Sequence, residues 1–475
     1  MHSHPPLAET PLVETPLAQS SLESWFAPFR RNILGGNKYI DTPQGRKPLV
    51  YADWTAAGRA YAPIEQGLLT KVLPLFANTH TETTATSTAM TSAYAAAKQT
   101  IKTHVNANKE DILLFCGSGM TAAVNKLQRL LGIRYPARLT EYTGPINIRD
   151  STRPVVFLTH MEHHSNHISW LETIAVVEII LPDNTGSPDL NHLTHLLQKH
   201  RHRKTKIAAV TACSNVTGIE TPYHAIAALM HEHDGFCFVD FAASAPYVAI
   251  DMHPAQTGSH LDAIYFSCHK FLGGPGTPGV LIFNQQLYKN PIPDHPGGGT
   301  ILYSNPWQEH DYLPDTETRE DGGTPPILQG IKAALCIRLK EEMGIGRIRQ
   351  RENELLKTLF PRLTSIPGIT VLEQNIRRRL GIVSFLVKDT HHDTAVRQLN
   401  DCFGIQLRGG CSCAGPYGHH LLQIDSRRSH SIRRSLLAGD THSKPGWVRL
   451  SLHPTMPDSE LDYILGAIET LGKKS

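Results

Sequence analysis

The sequence predicts an α/β fold in which a mostly parallel, seven-stranded sheet is covered by helices, followed by a smaller α+β domain. Between about residues 49 and 300, short runs that are apolar throughout alternate with amphipathic segments of helical period. Such runs indicate strands buried on both faces, which is typical of parallel sheets. After about residue 330 the pattern changes to long helices followed by short strands, which indicates a second domain.

The strand candidates of the large sheet are short and rich in β-branched and aromatic residues. They lie at residues 112–115, 155–158, 176–181, 207–211, 237–239, 263–266 and 280–283. Helices are predicted between them, at 121–131, 190–199 and 224–233. This alternation of strand and helix is what identifies the sheet as mostly parallel.

The C-terminal part is predicted to contain helices at 327–343, 348–363 and 459–471, with strands at 369–372, 382–386, 405–408 and 447–452. Two segments, 134–153 and the basic, serine-rich 425–446, are interpreted as loop insertions. We expect residues 1–48 to form an N-terminal arm and a segment that joins the small domain. Residues 49–326 would form the large domain and residues 327–475 the small one.

Composition narrows the class of partner. The 475 residues carry a net charge of only +3, which does not indicate a nucleic-acid or membrane partner. The chain lacks an apolar stretch of membrane-spanning length and the apolar core of a signal peptide. Eight cysteines in so long a chain do not indicate a disulfide scaffold. We therefore expect a cytoplasmic protein whose first residues are disordered.

The histidines and one glycine-rich turn do not predict binding sites. The 27 histidines are scattered, without a His-Glu-x-x-His sequence or paired Cys-x-x-Cys motifs, so no metal site is expected. Residues 274–279 match the glycine spacing of a dinucleotide-binding loop. However, two prolines interrupt the turn and a strand follows it, whereas that loop requires a helix.

A lysine and an aspartate at strand ends indicate the chemistry. Lys270 follows the predicted strand 263–266, and Asp240 ends the strand before it. A lysine at the end of a buried strand is partly desolvated, which lowers its pKa and favours Schiff-base formation. Pyridoxal 5′-phosphate (PLP) requires an amine for its aldehyde and an acid for its ring nitrogen. A lone lysine is usually a solvated charge, and the pairing with Asp240 is what favours the cofactor.

Three other strand ends carry polar residues. Residues 117–121, Gly-Ser-Gly-Met-Thr, open a helix whose N-terminus suits a phosphate, although helix capping explains the same residues. His163 follows the next strand. Its flat ring could stack on a planar cofactor there, or it could be an ordinary exposed residue of the surface. Asn215 follows the strand 207–211, where its amide could donate a hydrogen bond to a ring hydroxyl of the cofactor. An N-glycosylation role for Asn215 would require a secreted protein.

The C-terminal domain adds thiols and arginines. Arg408 precedes a glycine-rich loop with Cys411 and Cys413, and thiols near positive charge favour the reactive thiolate. A structural role for these cysteines stays open. Arg449 lies within the predicted strand 447–452, where a buried guanidinium requires an anion such as a substrate carboxylate.

Together, in this order, these motifs resemble fold-type I PLP enzymes of the class V aminotransferase superfamily, specifically the cysteine desulfurase/selenocysteine lyase branch. The resemblance covers roughly residues 49–472. By position it implies that Lys270 holds PLP and moves the substrate α-proton, that Asp240 contacts the ring nitrogen, and that His163 stacks on the ring. It further implies that Asn215 contacts O3′ of the cofactor.

The remaining roles also follow only from the resemblance. Those implied to hold the phosphate are Met120 through its backbone, Thr121, Ser267 and His269. Those implied to bind the substrate carboxylate are Arg449 and Arg408. The implied reaction converts L-cysteine to L-alanine through a persulfide on Cys413. The expected partners are a second copy of the chain in a homodimer, with loops 297–300 and 322–324 near the shared interface, and a sulfur-acceptor protein.

Two departures from the family pattern leave alternatives open. Ala243 stands where the family usually has glutamine, and the loop continues Cys-Ser-Cys-Ala-Gly-Pro-Tyr-Gly, unlike characterised desulfurases. A transamination, a β-elimination or a kynureninase-like cleavage would need no loop cysteine. A scaffold or sulfur-carrier role without catalysis is the third hypothesis.

Overall fold

The computed structural model describes residues 21–79 and 81–473. The predicted disordered start of the chain, residues 1–20, lies outside the described residues. In the described ranges, no helix is long and apolar enough to cross a membrane.

The strands are short, as predicted, and their bounds agree with the sequence interpretation to within one or two residues for the large sheet. They are β1 (Tyr39–Thr42), β2 (Gly45–Pro48), β3 (Val50–Tyr51), β4 (Asp111–Cys116), β5 (Val155–Thr159), β6 (Val176–Ile180), β7 (Lys206–Thr211), β8 (Phe236–Asp240), β9 (Ala263–Ser267), β10 (Gly279–Asn284), β11 (Ile301–Ser304), β12 (His310–Tyr312), β13 (Ile369–Val371), β14 (Ile382–Val387), β15 (Ile405–Gln406), β16 (Arg408–Gly410) and β17 (Trp447–Ser451).

The helices separate these strands in the alternation that the sequence predicts. They are α1 (Leu22–Arg31), α2 (Ala62–Gly67), α3 (Ala85–His104), α4 (Met120–Leu130), α5 (Leu139–Thr143), α6 (His164–Leu171), α7 (Leu190–Lys199), α8 (Tyr223–His231), α9 (Thr316–Arg319), α10 (Ile327–Met343), α11 (Ile345–Ser365), α12 (His392–Phe403), α13 (Gly415–Leu421), α14 (Ser426–Leu437) and α15 (Asp458–Gly472).

The large sheet has seven strands in the order β4-β10-β9-β8-β7-β5-β6. Six strands run in the same direction, and only β10 is antiparallel to its neighbours. The predicted α/β class with a mostly parallel sheet is therefore confirmed. The register pairs Thr211 with Asp240 and Asp240 with Tyr265, so the carboxyl ends of β7, β8 and β9 lie side by side.

Both faces of this sheet are buried, because successive side chains of a strand point to opposite faces. In β4, Leu113 and Phe115 belong to the core beneath α3, α8 and α10, whereas Ile112 and Leu114 belong to the core beneath α4 and α6. This two-sided burial explains why the strands are apolar throughout. Polar side chains are consequently displaced to the strand ends.

The C-terminal part forms a separate four-stranded antiparallel sheet in the order β13-β14-β17-β16, with its own core against α11, α12 and α15. The predicted strand 405–408 is wrong in one respect. It divides at Leu407 into β15, which pairs in parallel with β3, and β16, which joins the small sheet. The N-terminal segment contacts this domain through Arg30, which donates to the Thr455 carbonyl. The domain bounds themselves stay a prediction.

The prediction that 425–446 is a loop is also wrong, because residues 426–437 form helix α14. The side chain of Asp425 caps it by accepting a hydrogen bond from the Arg428 amide at 2.7 Å. Serine-rich composition concealed this helix, although arginine and leucine are good helix formers. The other expected loop, 134–153, contains the short helix α5 and a 3₁₀ turn.

Candidate active site

A cavity of about 210 Å³ opens at the carboxyl edge of the large sheet, where the small domain covers it. This is the side on which open α/β sheets bind ligands. The cavity brings together every residue singled out from the sequence as a site residue, and these are Met120, Thr121, His163, Asn215, Asp240, Ser267, His269, Lys270, Arg408, Cys413 and Arg449.

Lys270 and Asp240 have shifted pKa values that suit proton transfer. Burial lowers the pKa of Lys270 from 10.5 to about 8, against the opposing effect of the Asp240 charge. Burial likewise raises the pKa of Asp240 from 3.8 to about 6, while a hydrogen bond from the Ala242 amide at 2.8 Å lowers it. An amine with this pKa has an appreciable neutral fraction near neutral pH, and it is therefore nucleophilic.

His163 is held in one orientation at the start of α6. Its Nδ1 accepts a hydrogen bond from the Ser165 amide at 3.1 Å. Burial first, and then the Lys270 charge, lower the pKa of His163 to about 3. The ring is therefore neutral, and its proton lies on Nε2 because Nδ1 is an acceptor. A neutral aromatic ring fixed in this way suits stacking on a planar ligand.

The junction between β4 and α4 forms a narrow cradle beside the lysine turn. Helix α4 begins without a side-chain cap, which leaves its N-terminus available to an anion. A Cβ atom on Gly119 would lie 3.0 Å from both Ser267 Oγ and His269 Cε1. Glycine is therefore needed for the close approach of the two turns. His269 Nδ1 pairs with the Ser118 carbonyl at 2.9 Å, which leaves its Nε2 for a ligand.

Two of the expected phosphate contacts differ in detail. The Met120 amide donates to Ser267 Oγ at 2.8 Å rather than standing free. Ser267 acts as an acceptor in that bond and keeps its hydroxyl hydrogen for an anion. Thr121 Oγ1 lies 2.7 Å from Ser165 Oγ, so a second hydroxyl pair stands at the same helix end.

Arg449 already has an internal counter-charge, which the sequence interpretation missed. Its side chain is only 3% exposed, and its Nη2 donates to Asp53 Oδ1 at 2.6 Å. Its Nη1 donates to the Asn215 carbonyl at 3.0 Å. Arg408, which is partly exposed, lies 3.7 Å from the other oxygen of Asp53. One carboxylate thus positions both arginines, and the buried guanidinium does not depend on a substrate for its anion.

The loop that carries the cysteines is fastened to the large domain. His164 holds it twice: its amide donates to the Cys413 carbonyl at 2.7 Å, and its Nε2 accepts from the Gly415 amide at 2.8 Å. Asn215 Nδ2 donates to the Ser412 carbonyl at 2.8 Å. Ser412 and Cys413 both have left-handed backbones, with φ of 51° and 54°. This conformation is unfavourable for side chains other than glycine and is maintained by these contacts.

The two thiols of the loop have different surroundings. Cys413 is exposed and lines the cavity with Lys270. Cys411 is half-buried and packs against an apolar cluster that includes Met161, Val216 and Trp447. Only Cys413 is therefore placed to meet a ligand beside the lysine.

A family model described as "Aminotransferase class-V" matches residues 50–464. The chain belongs to this family. Its relatives include probable cysteine desulfurases from Halalkalibacterium halodurans and Staphylococcus epidermidis. Each is 30% identical to it over 79% of this chain, covering 87% and 86% of the respective relatives. The resemblance inferred from the motifs is confirmed, and the protein is an enzyme of a PLP-dependent family.

Solved structures show the same fold. A cysteine desulfurase from Thermococcus onnurineus NA1 superposes with a TM-score of 0.74 at 24% identity, covering 94% of this chain and 98% of that one. The cysteine desulfurase CsdA from Escherichia coli gives 0.71 at 20% identity with the same coverage. The fold-type I architecture of this family member is thus confirmed.

The residues of the cavity fit PLP. The cofactor is a planar ring with an aldehyde, a basic nitrogen, a hydroxyl and a phosphate, and each has a matching group here. The lysine, the buried acid and the open helix end suit the aldehyde, the nitrogen and the phosphate. Asn215 Oδ1 suits the hydroxyl, because it is buried without a partner among the described residues. A buried unpaired oxygen is costly unless a ligand donates to it. Asn215 Nδ2 donates one of its two hydrogens to the Ser412 carbonyl and keeps the other.

Several cavity residues were not predicted from the sequence. They are Thr55, Ala56, Ser165, Thr211, Ala242 and Ser412. The run of small and polar residues after β3, which includes Asp53 and Thr55, was the available signal. Ala243, flagged as a departure, also lines the cavity, so the missing glutamine leaves an apolar wall there.

Among the described residues, histidines that are scattered in the sequence form two groups with aspartate, and neither group lines this cavity. His231 and His260 stack with ring centroids 3.9 Å apart beside Asp262, and His391 and His392 stand beside Asp393. His231 donates to Asp262 at 2.9 Å, and its pKa is raised against the effect of burial by hydrogen bonds to Asp262 and the Gly258 carbonyl. The ring and the carboxylate of this pair thus satisfy each other.

Proposed function

We propose that the protein is a PLP-dependent cysteine desulfurase that converts L-cysteine to L-alanine and holds the released sulfur as a persulfide on Cys413. The observation that carries the proposal is the location of Cys413 in the same cavity as Lys270 and Asp240. The names of the relatives support the same activity.

The cofactor would be held by residues from both sides of the cavity. Lys270 would bind its aldehyde carbon, and Asp240 would contact its ring nitrogen. His163 would stack on the ring, while Asn215 would accept a hydrogen bond from the ring hydroxyl. Ser267 and Thr121 would donate to its phosphate, and His269 would donate from Nε2 when its ring carries both protons. Bound PLP supplies an electron sink that allows the substrate Cα proton to leave.

The protein's own side chains would perform the remaining work. Lys270 Nζ, whose pKa burial lowers to about 8, would accept and return a proton. Asp240 would hold positive charge at the ring nitrogen with its buried carboxylate, on which the Lys270 charge also acts. Arg449 and Arg408 would orient the substrate carboxylate. Asp53 positions these arginines and limits their net positive charge.

The sulfur transfer would occur at Cys413. Its thiolate attacks the sulfur of the substrate, so an S–S bond forms while the C–S bond of cysteine breaks. The electron pair of the C–S bond remains with the carbon, which takes up a proton to give alanine. The sulfur atom stays on Cys413 as a persulfide. No external oxidant is needed, and a thiol acceptor later removes the sulfur.

The test is the release of alanine and sulfide from L-cysteine by PLP-loaded protein with dithiothreitol. We expect Cys413→Ala to lose sulfide release, whereas the matched Cys411→Ala keeps it, since Cys411 packs outside the cavity. The absorption band of bound PLP should remain in both variants. Activity that survives in Cys413→Ala would contradict the proposal.

A second candidate, a different class V reaction that needs no loop cysteine, is favoured by one observation. The cavity wall at Ala242 and Ala243 is apolar where the family usually supplies an amide. Turnover of another amino acid at equal rates by the wild type and Cys413→Ala would identify this alternative.

We infer that the protein is a homodimer. Hairpin β11–β12 exposes Leu302 and Tyr303, and the turn between its strands exposes Trp307, so this hairpin carries an apolar surface. Exposed apolar groups on one projecting element are typical of an interface. Light scattering coupled to gel filtration should give twice the chain mass, and Trp307→Glu with Leu302→Glu should give the mass of one chain.

A further inference from the structure

The segment 425–446 has no part in the chemistry described above, although it stands beside the cysteine loop. It contains four arginines and a lysine against two aspartates. Both aspartates form hydrogen bonds within the segment. Asp425 caps α14, and Asp440 accepts a hydrogen bond from the His442 amide. This strongly basic segment contrasts with a whole chain whose net charge is only +3.

Both ends of the segment are anchored to residues that flank the cysteines. At its start, Ser429 Oγ lies 2.9 Å from His419 Nε2, in the helix that follows the loop. At its end, Lys444 offers its carbonyl to His392, and a Cβ on Gly446 would lie 2.6 Å from Gly410 Cα. Gly410 immediately precedes Cys411. The segment therefore forms part of the rim around the loop that carries Cys413.

The charge of α14 is turned outward. Ser429, Ile432 and Leu436 are half-buried and form the face toward the protein. The opposite stripe, at the helical spacing i, i+3, i+7 and i+10, is formed by Arg427, His430, Arg434 and Leu437. Leu437 is 76% exposed, which places an apolar side chain at the end of the basic stripe.

The arginines of α14 have no counter-ion among the residues that the structure describes. Arg427, Arg428, Arg433 and Arg434 are exposed, and none forms an ion pair with any residue in 21–79 or 81–473. Lys444 is exposed too. The pKa of His164, which fastens the cysteine loop, is lowered mainly by burial of His164 and secondly by the Lys444 charge. The positive charge at the end of the segment thus acts on a residue that holds the loop of Cys413.

We propose that α14 and Lys444 form a docking surface for the acidic face of a thiol-bearing acceptor protein, which receives sulfur from Cys413. This inference rests on the proposed function and names the partner's chemistry. Unpaired arginines steer an oppositely charged partner and fix its register, and an exposed leucine among them supplies an apolar anchor.

The transfer itself balances without a further reactant. The acceptor thiolate attacks the outer sulfur of the Cys413 persulfide. A new S–S bond forms on the acceptor, the S–S bond on the enzyme breaks, and Cys413 leaves as thiolate. Docking beside the loop raises the local concentration of the acceptor thiol, which is the contribution of the basic surface.

The test uses synthetic peptides as acceptors, each with one cysteine. One peptide is rich in aspartate and glutamate, and a second of equal length has serine and glycine in their place. The enzyme is loaded with L-cysteine, and persulfide transfer to the peptide is followed by mass spectrometry at low and high salt. We expect transfer to the acidic peptide to be about tenfold faster at low salt, with the preference lost at high salt.

Charge reversal provides the matched variants. Arg427→Glu with Arg434→Glu should remove the preference for the acidic peptide. As a control, Arg201→Glu with Lys204→Glu reverses two exposed cations that precede β7, at the edge of the sheet opposite the cavity. This control should keep the preference. Alanine release with dithiothreitol should be equal in all variants, because none of these residues lines the cavity.

The outcomes separate this inference from the proposed function. Absence of alanine release in the wild type would overturn the proposed function itself. Normal alanine release with no difference between the acidic and neutral peptides would overturn only the docking surface. Equal loss of preference in both double variants would assign the effect to net charge and also overturn it. Salt-sensitive binding of a duplex RNA to α14, with no peptide preference, would replace the acidic protein by a nucleic acid.

Discussion

Replacing Asp53 by asparagine tests how much of the protein's stability depends on this one carboxylate in the cavity. In Asp53→Asn the buried Arg449 loses its counter-charge, although the Asn215 carbonyl still accepts a hydrogen bond from it. Charge centres about 4 Å apart attract by roughly 4 kcal/mol at an effective dielectric constant of about 20. Removing one partner of a buried pair costs about 3–5 kcal/mol, since an uncompensated charge is left inside.

The expected loss lies at the lower end of that range. The Asp53 side chain is 16% exposed, so water reaches it, and an asparagine oxygen can still accept a hydrogen bond from the guanidinium. We therefore expect the free energy of unfolding of the apoprotein to fall by about 3 kcal/mol. Urea denaturation followed by circular dichroism measures it. Acetate, a minimal carboxylate, should restore more stability to Asp53→Asn than to the wild type.

The control is another aspartate that pairs with a buried arginine. Asp458 lies 2.7 Å from Arg351, which is 3% exposed, but the Asp458 side chain is 66% exposed. Exposed partners contribute little, so Asp458→Asn should cost less than about 1 kcal/mol. An Asp53→Asn protein that is as stable as the control variant, with no response to acetate, would refute the assignment of Asp53 as the counter-charge.

Three further predictions address the cofactor cradle and the buried amines. Gly119→Ala should raise the dissociation constant of PLP about tenfold in a fluorescence titration, because its Cβ meets Ser267 and His269. Gly466→Ala, whose Cβ meets open space, should leave it unchanged. Asp240→Asn should lower the pKa of Lys270 below about 8, because the Asp240 charge opposes the effect of burial. Reductive methylation at several pH values measures this pKa. An unchanged methylation profile would contradict the pairing. Burial lowers the pKa of Lys340 to about 7. The unfolded chain therefore binds a proton between about pH 7 and pH 10.5 that the folded chain lacks, and the stability contributed by Lys340 rises across this window. Lys340→Met should lose that rise in urea midpoints, and an equal slope in both proteins would show that Lys340 is charged in the fold.

The positions of the strands could be predicted from the sequence because the large sheet is buried on both faces. Burial on both sides requires runs such as 207–211 to be apolar throughout, and polar residues then mark where each strand stops. For this reason the sequence alone identifies four polar residues at strand ends, and these are Asp240, Lys270, His163 and Asn215. The helix at 426–437 was missed, because its composition is mostly polar and its stability depends on the Asp425 cap and on a contact with α13.

The sequence by itself determined the α/β class, the order of the strands along the chain and the residue types at their ends, since these follow from local burial and spacing. Only the tertiary structure decided which groups meet. It placed Asp53 between Arg449 and Arg408, separated Cys413 from Cys411 by turning one thiol toward the cavity and the other into an apolar cluster, and set the basic helix beside the loop. These contacts join residues far apart in the chain, and their charges and distances arise only when the two domains pack together.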